Sequence, residues 1–454
     1  MVNGFLPDGW TTKNLGEIGQ LLRGVSYRKE DATEQPKDGF VPILRATNIQ
    51  DEKLILDNEL VYVPSTYVKS DQYLAPGDIV VCMSSGSKHL VGKTAQLFHE
   101  WQGSFGTFCA AIRPSSATNA KFFGYFFSSP DYRDFIRKKA AGININNLKP
   151  SDFETLEIPV PPLPEQERIV AKIEELFTQL EAGAAALKRV RAGLKRYKAS
   201  VLKAAVEGRL FDVGAHGVRP FPDSGALPLG EEASPAQAGR TPYGDDAPSA
   251  RTEGELPDGW RWAKVGDIAE HRLGKMLDKE KNKGELQPYL RNLNVRWFEF
   301  DLSDIQYMRV TDEELQNITV RKGDLVVCEG GEPGRAAVWN KDEPFIIQKA
   351  LHRVRPSADI LPTYLMYCLA SDANTGRLEK HFTGSTIMHF TGQAFRAYEI
   401  PLPPLAEQRR IVAEVERRLS VVKEVESVVA ASVARAARLR QSVLKSAFEG
   451  RLVR

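Results

Sequence analysis

Chemistry in this chain would first be sought in Gly86 to Thr94, GSKHLVGKT, which follows the strand-like run IVVCM. Glycines closed by Lys-Thr after a strand are what a phosphate-cradling loop uses, but that loop needs four residues between its glycines and a helix after them. Here five residues separate Gly86 from Gly92, and Thr94 to Phe98 reads as extended. A second version, EGGEPGRAAVW from Glu329, keeps glycines and one cation, Arg335, and loses Lys-Thr. Nucleotide hydrolysis is therefore not expected. Two readings stay open: a plain tight turn, or a glycine-rich hairpin loop whose N–H groups, with Lys88, Lys93 or Arg335, approach a phosphate backbone. Asp8 and the triplet Asp51-Glu52-Lys53 could be forced into a nuclease-like set. The matched triplet Trp297-Phe298-Glu299 has only one acid, and Pro7-Asp8 sits in a turn signal before Gly9. The seven histidines show no H-E-x-x-H or comparable spacing, so no metal ligand is assigned. An Asn/Asp-Pro-Pro-aromatic loop, as used to hold a flipped base, is also missing from the sequence. No catalytic residue is expected.

Other polar residues suit recognition rather than catalysis. Arg, Lys, Asn, Gln and Glu match base edges in a DNA major groove, and aromatic or Thr side chains match thymine methyl groups. The inter-strand loops of the first half offer Arg23, Tyr27, Arg28 and Lys29, Arg45 and Asn48, Ser85 and Lys88, and Asn144 and Asn146. Those of the second half offer Lys275 and Lys279, Arg291, Asn294 and Arg296, Glu329 and Arg335, Gln348 and Lys349, and Ser385 and His389. For any one of these taken singly, a solvated loop residue is the leading reading. Arg45 and Arg291 share the motif LRxxN, which points to a common structural or phosphate role, because base readers should differ between copies.

The elements that would position these loops are repeated. PPLPEQERIVAKIEELF at Pro161 and PPLAEQRRIVAEVERRL at Pro403 lie 242 positions apart, as do the closing runs SVLKAAVEGRL (Ser200 to Leu210) and SVLKSAFEGRL (Ser442 to Leu452). LPDGW at Leu6 recurs at Leu256, GDIVVC at Gly77 recurs as GDLVVC at Gly323, and LRATNI at Leu44 recurs as LRNLNV at Leu290. Such ordered matches mean a duplicated domain. Each copy reads as mixed α/β, with strands at Asp78 to Met83, Thr94 to Phe98, Asp324 to Cys328 and Ala336 to Trp339, and helices starting at Lys121 and Thr363.

Between the copies run two long heptad-patterned helices. In the first, Ile169, Ile173, Leu176, Leu180, Gly183, Leu187, Val190, Leu194, Tyr197 and Val201 alternate by four and three, the spacing of a coiled-coil seam. The matched second seam is broken only at Arg418 and Ser432. About 43 helical residues would span roughly 65 Å. Each helix carries all but one of its acids in its first half and has a basic second half, so antiparallel pairing sets the acid-bearing half of one beside the basic half of the other. The same asymmetry also suits each helix's own dipole. The organisation expected is a first recognition domain at 1–160, a helix at 161–210, a Gly/Pro/Ala linker at 211–255, a second recognition domain at 256–402 and a helix at 403–454.

Composition sets outer bounds. With 454 residues, 42% apolar and 26% charged, the chain reads as a multi-domain globular protein. The net charge of +2 does not announce a nucleic-acid binder, although the helices carry ten basic against six acidic residues in 161–210 and eleven against six in 403–454. The four cysteines are widely spaced, no apolar run is long enough for a membrane span, and the N-terminus lacks an export signal. A cytoplasmic location is expected.

Together the PPLxEQ openings, the VLKxAxEGRL closings and the LPDGW starts resemble the specificity subunits of type I restriction-modification enzymes, over essentially the whole chain. The resemblance implies an α+β architecture of two target-recognition domains separated by two long antiparallel helices. It further implies that each domain reads half of a split, asymmetric site on double-stranded DNA, while the helices dock two methyltransferase subunits. The chain itself would hold no cofactor. S-adenosylmethionine would sit on the methyltransferase partners, and ATP with magnesium on the restriction (motor) subunits. A different class, an assembly adaptor that does not read DNA, is the alternative.

Overall fold

The computed structural model describes residues 6–86, 90–140, 147–211, 256–278 and 280–453. Apart from Phe211, the expected linker lies outside the described residues, as do Lys88, Asn144, Asn146 and Lys279.

Two compact units are present, residues 1–189 with 429–454, and residues 190–428. In the first, a four-stranded antiparallel sheet has the order Gly19–Arg23, Cys109–Pro114, Ile79–Cys82, Thr94–Gln96. Ile79–Cys82 is buried along its whole length, which explains why IVVC reads as a continuous apolar run instead of alternating. A smaller sheet places Phe40–Leu44 between antiparallel Val61–Pro64 and parallel Ser104–Phe105. The second unit repeats this plan. Its main sheet runs Ala269–Leu273, Leu351–Pro356, Leu325–Cys328, Ala336–Val338. Its smaller sheet centres on Glu285–Leu290 and gains a fourth strand, Thr319–Val320, after the helix Asp312–Ile318. That helix begins at Thr311, which forms a capping box with Glu314.

The repeated motifs close each domain onto the helices. Thr11–Asn14 pairs with Glu157–Val160, and Arg261–Lys264 with Glu399–Leu402, so the strand after LPDGW lies beside the strand before PPLxEQ. The tryptophan of each LPDGW then donates to the glutamate of the following helix: Trp10 Nε1 to Glu165 at 3.1 Å and Trp260 Nε1 to Glu407 at 3.0 Å. The glutamines of the same motif are buried and fully used. Gln166 accepts from Asn119 N and donates to Pro161 O, both at 2.9 Å. Gln408 accepts from Leu361 N and donates to Asp359 O and Pro403 O, all at 2.9 Å. The repeated PEQ/AEQ segment is thus a joint between domain and helix.

Leu163–Val206 and Leu405–Phe448 are the two long helices. Each ends at a left-handed glycine, Gly208 (φ 71°) and Gly450 (φ 68°), where Arg209 N returns to Ala204 O and Arg451 N to Ser446 O. A Cβ on these glycines would also strike Pro257 at 2.4 Å and Pro7 at 2.1 Å. In the first unit Ile169, Ile173 and Phe177 share a core with Leu444, Ala447 and Phe448. In the second, Val201, Leu202 and Ala205 share one with Ile411 and Val415. The start of one helix meets the end of the other in both units, which is the antiparallel arrangement expected from charge. Arg440 lies 3.7 Å from Glu181, a direct instance of that complementarity. Arg418, an expected break in the seam, is accommodated by Glu414 at 2.6 Å and by the Leu210 carbonyl at 3.4 Å. The seam itself is uneven: Val190 and Leu439 are 39% and 46% exposed, whereas off-pattern Phe177 and Leu444 are buried. Both helix ends are covered by an α/β domain as well as by the other helix, so their apolar face is wider than a heptad stripe.

No helix among the described residues is long and apolar enough to cross a membrane.

Candidate nucleic-acid interface

The site is built around the LRxxN motif. After Phe40–Leu44 the chain makes a single 3-10 turn, Ala46–Asn48. Asn48 accepts from Arg45 N at 2.8 Å and donates to Ile55 O at 3.2 Å and Asn58 O at 2.9 Å. Asn294 does the same with Arg291 N at 2.9 Å, Asp301 O at 2.9 Å and Asp304 O at 3.0 Å. Both side chains are fully buried, which corrects their assignment as base readers: each amide is spent inside its own loop. The arginines of the motif also brace this loop. Arg45 Nη2 donates to Glu59 O at 2.8 Å, and Arg291 Nη2 to Asp304 O at 2.8 Å and to its carboxylate at 2.7 Å. Hydrogen bonds from Arg291 and Gln306 hold the Asp304 carboxyl below its usual range. A shared structural role for the two arginines therefore has a geometric basis.

In the first domain these turns open onto a cleft of about 610 Å³ lined by Ser26, Tyr27, Lys29, Arg45, Thr47, Ser84, Ser85, Gly86, Thr107 and Phe108. It brings together four expected residues, Tyr27, Lys29, Arg45 and Ser85. Gly106, which also lines it, is crossed so closely by Gly24 that a Cβ on Gly24 would lie 2.1 Å from Gly106 O. The matched Gly274 would strike Gln348 O at 2.3 Å, so both copies use the same close crossing. Arg23 and Arg28 are exposed but do not line the cleft, and the Arg23 carbonyl receives Gln72 Nε2 at 2.9 Å. Lys93 lines a different cavity, of about 850 Å³, with Glu52, Arg133 and Arg440. Thr94 opens a strand that pairs with Ile79–Cys82, so the GKT run is followed by no helix and the P-loop geometry is excluded.

In the second domain several expected cations already have partners. Lys275 is ion-paired with Glu314. Arg335 meets Glu332 at 2.6 Å and donates to Asn292 O at 2.8 Å, and Arg296 lies 3.7 Å from Asp301. Lys275 also pairs with Gln348 in a parallel bridge, and Lys349 N donates to Lys275 O at 2.7 Å. Glu329 is half-buried, and its main chain bonds to Ala350 and Phe390. His389 pairs with Thr383 across the loop carrying exposed Ser385, and its ring faces Gly330. Glu329, Arg335, His389 and Asn292 thereby cluster, and Asn292 Nδ2 donates to Gly330 O at 2.7 Å.

Sequence reasoning passed over the apolar rim. Phe108 is 65% exposed beside the first cleft. Met276, Leu293, Ile387 and Met388 are exposed on the second domain. Such groups suit thymine methyls or base faces. A usable signal existed: Thr47 and Leu293 are matched positions that differ inside the shared LRxxN frame. Among the described residues no cluster of His, Cys, Asp or Glu is arranged to hold a metal. The described cysteines are buried, and burial pushes the Cys109 thiol up to about 12 and Cys328 to about 11, against nucleophilic use.

Comparison with known proteins agrees with this organisation. Residues 7–189 and 257–418 match the family described as "Type I restriction modification DNA specificity domain". The chain is 30% identical to the type I restriction enzyme EcoKI specificity subunit of Escherichia coli K12 and 31% identical to the StySPI specificity subunit of Salmonella potsdam, in each case over 100% of this chain and 91% of the relative. A solved chain described under "Structural basis underlying complex assembly and conformational transition of the type I R-M system" superposes with a TM-score of 0.70 at 21% identity, covering 99% of this chain and 100% of that one. The HsdS subunit from Thermoanaerobacter tengcongensis gives 0.52 at 21% identity, with 99% of each chain covered. These two structures bear on the fold alone. On the match across both copies and the full-length relatives, the chain belongs to the specificity subunits of type I restriction-modification systems.

Proposed function

We propose that this chain is the DNA-reading component of a type I restriction-modification complex, in which each recognition domain reads one half of a split site. The observation that carries this is a constant frame with variable contents. LRxxN, the Gly24/Gly274 crossing and the buried asparagines recur, while the residues they present, Thr47 against Leu293 or Phe108 against Ala350, differ. Different contents in one frame suit two different half-sites. The target is then asymmetric, with halves read from one side of the duplex about one turn, or ~34 Å, apart.

On this reading the chain is non-catalytic. The methyl donor belongs to methyltransferase subunits docked on the long helices, and ATP with magnesium to the restriction subunits. Lys29 and Lys349 supply phosphate or base-edge contacts, Arg45 supplies a phosphate contact, and the apolar rim supplies contacts to methyl groups and base faces.

The test uses the chain assembled with its methyltransferase subunits and a panel of duplexes. Affinity should favour one split sequence and fall steeply with salt, while the isolated chain should not bind S-adenosylmethionine. Binding indifferent to both sequence and salt would establish the adaptor alternative instead.

A further inference from the structure

Matched hairpins in the two domains carry unusual backbone at their tips. Ile49–Gln50 pairs with Lys53–Leu54 around Asp51-Glu52, whose φ angles are 47° and 61°. Val295–Arg296 pairs with Glu299–Phe300 around Trp297-Phe298, with Phe298 at φ 72°. Turns of this kind select Gly or Asn, because at positive φ a Cβ crowds the following carbonyl. A glutamate and a phenylalanine at the matched position need another reason to be there.

Each tip meets a cation on a long helix within its own unit. Glu52 lies 3.2 Å from Arg440 and 2.9 Å from Arg133. The ring of Phe298 lies 5.0 Å from Lys198 Nζ. Glu52 and Phe298 are one repeat position, 246 residues apart, and Lys198 and Arg440 are another, 242 apart. The same contact is therefore made twice with different chemistry. In both units the hairpin reaches the helix that does not directly follow its own domain in sequence. Arg440 stacks 3.9 Å from the centroid of Phe177, where the second copy has Leu419. A planar guanidinium suits the first socket, and an ammonium suffices in the second.

We propose that position 52/298 and position 440/198 form a positioning lock: the helix cation is the constant part, and the tip grips it with either a carboxylate or an aromatic face. A carboxylate holds a cation by charge and an aromatic ring by its quadrupole, so the two tips are chemically interchangeable. Glu52 and Phe298 are positioning residues, since they hold the domain, and with it the cleft, at a set angle to the helix. The consequence for DNA rests on the recognition reading above, whereas the lock itself does not.

The test compares Glu52→Gly with Glu52→Phe in the full chain, reading amide hydrogen exchange in residues 49–54. Glycine relieves the positive-φ crowding and removes the grip. A lock makes the hairpin exchange about threefold faster in Glu52→Gly, and Glu52→Phe restores it to near the parent rate. Slower or unchanged exchange in Glu52→Gly overturns the lock, and a Glu52→Phe variant as loose as glycine overturns the shared chemistry. In the complex with methyltransferase subunits, Glu52→Gly should also lose about threefold discrimination between the cognate spacer and one a base pair longer, with Glu52→Phe retaining it. Unchanged discrimination with a loosened hairpin overturns the positioning role. A loosened hairpin in a complex that prefers no sequence supports the lock and overturns the recognition reading.

Discussion

Two neighbouring residues show how differently matched positions are constrained. Asn48 is fully buried with its amide spent on three main-chain partners, whereas Thr47 is exposed on the cleft wall. Replacing Asn48 by Ala leaves those partners unpaired, and a cost of about 2–3 kcal/mol in denaturant unfolding is expected, with the preferred sequence unchanged. Thr47→Leu, which installs the residue of the second copy, should change stability by less than about 0.5 kcal/mol and shift the preferred base at one position of the first half-site. Equal effects of the two substitutions on sequence preference would contradict this division. The sequence shows LRxxN to be shared. It does not show which of its polar groups face inward, because an Asn that closes a turn and an Asn that reads adenine are the same residue in a string.

At the scale of elements, the long helices were legible in type, length and pairing direction. Periodicity and capping glycines locate them, and the division of charge orients them. Burial along the seam was less legible. Ile173 is fully buried between the helix ends and the first domain, yet Leu439, an equally regular seam position, is 46% exposed. Ile173→Ala should therefore destabilise by about 2–4 kcal/mol, and Leu439→Ala by less than about 0.5 kcal/mol, as measured by chemical unfolding. A strict heptad seam would make the two costs alike. The difference arises because a helix with 3.6 residues per turn drifts from a 3.5-residue stripe, and because the domain capping each end recruits off-pattern residues such as Phe448.

For the whole molecule, the duplication is the governing fact. Each compact unit takes one recognition domain with a segment of both helices, so neither helix belongs wholly to the domain that precedes it. Under the proposed function, helix length then sets the distance between half-sites. Four residues inserted after Gly183 add ~6 Å of helix, equivalent to about two base pairs. Gly183 is exposed, and a Cβ there would meet nothing within 4 Å, which makes it a tolerant place for the insertion. Mapping of methylated sites should return the same half-sites with a spacer about two base pairs longer, at some loss of stability from the shifted heptad register. An altered half-site with the original spacer would refute the ruler.

By itself the sequence determined the duplication, the two helices and the family resemblance. All of these rest on order and spacing along the chain, which a string records directly. Only the tertiary structure decided that Asn48 and Asn294 face inward, that Lys93 lines a cavity other than the cleft, and that Glu52 and Phe298 grip one repeated helix position. The asparagine amides are settled by which main-chain groups of their own loop they reach, and the grip by helix residues far off along the chain; neither periodicity nor composition carries that information.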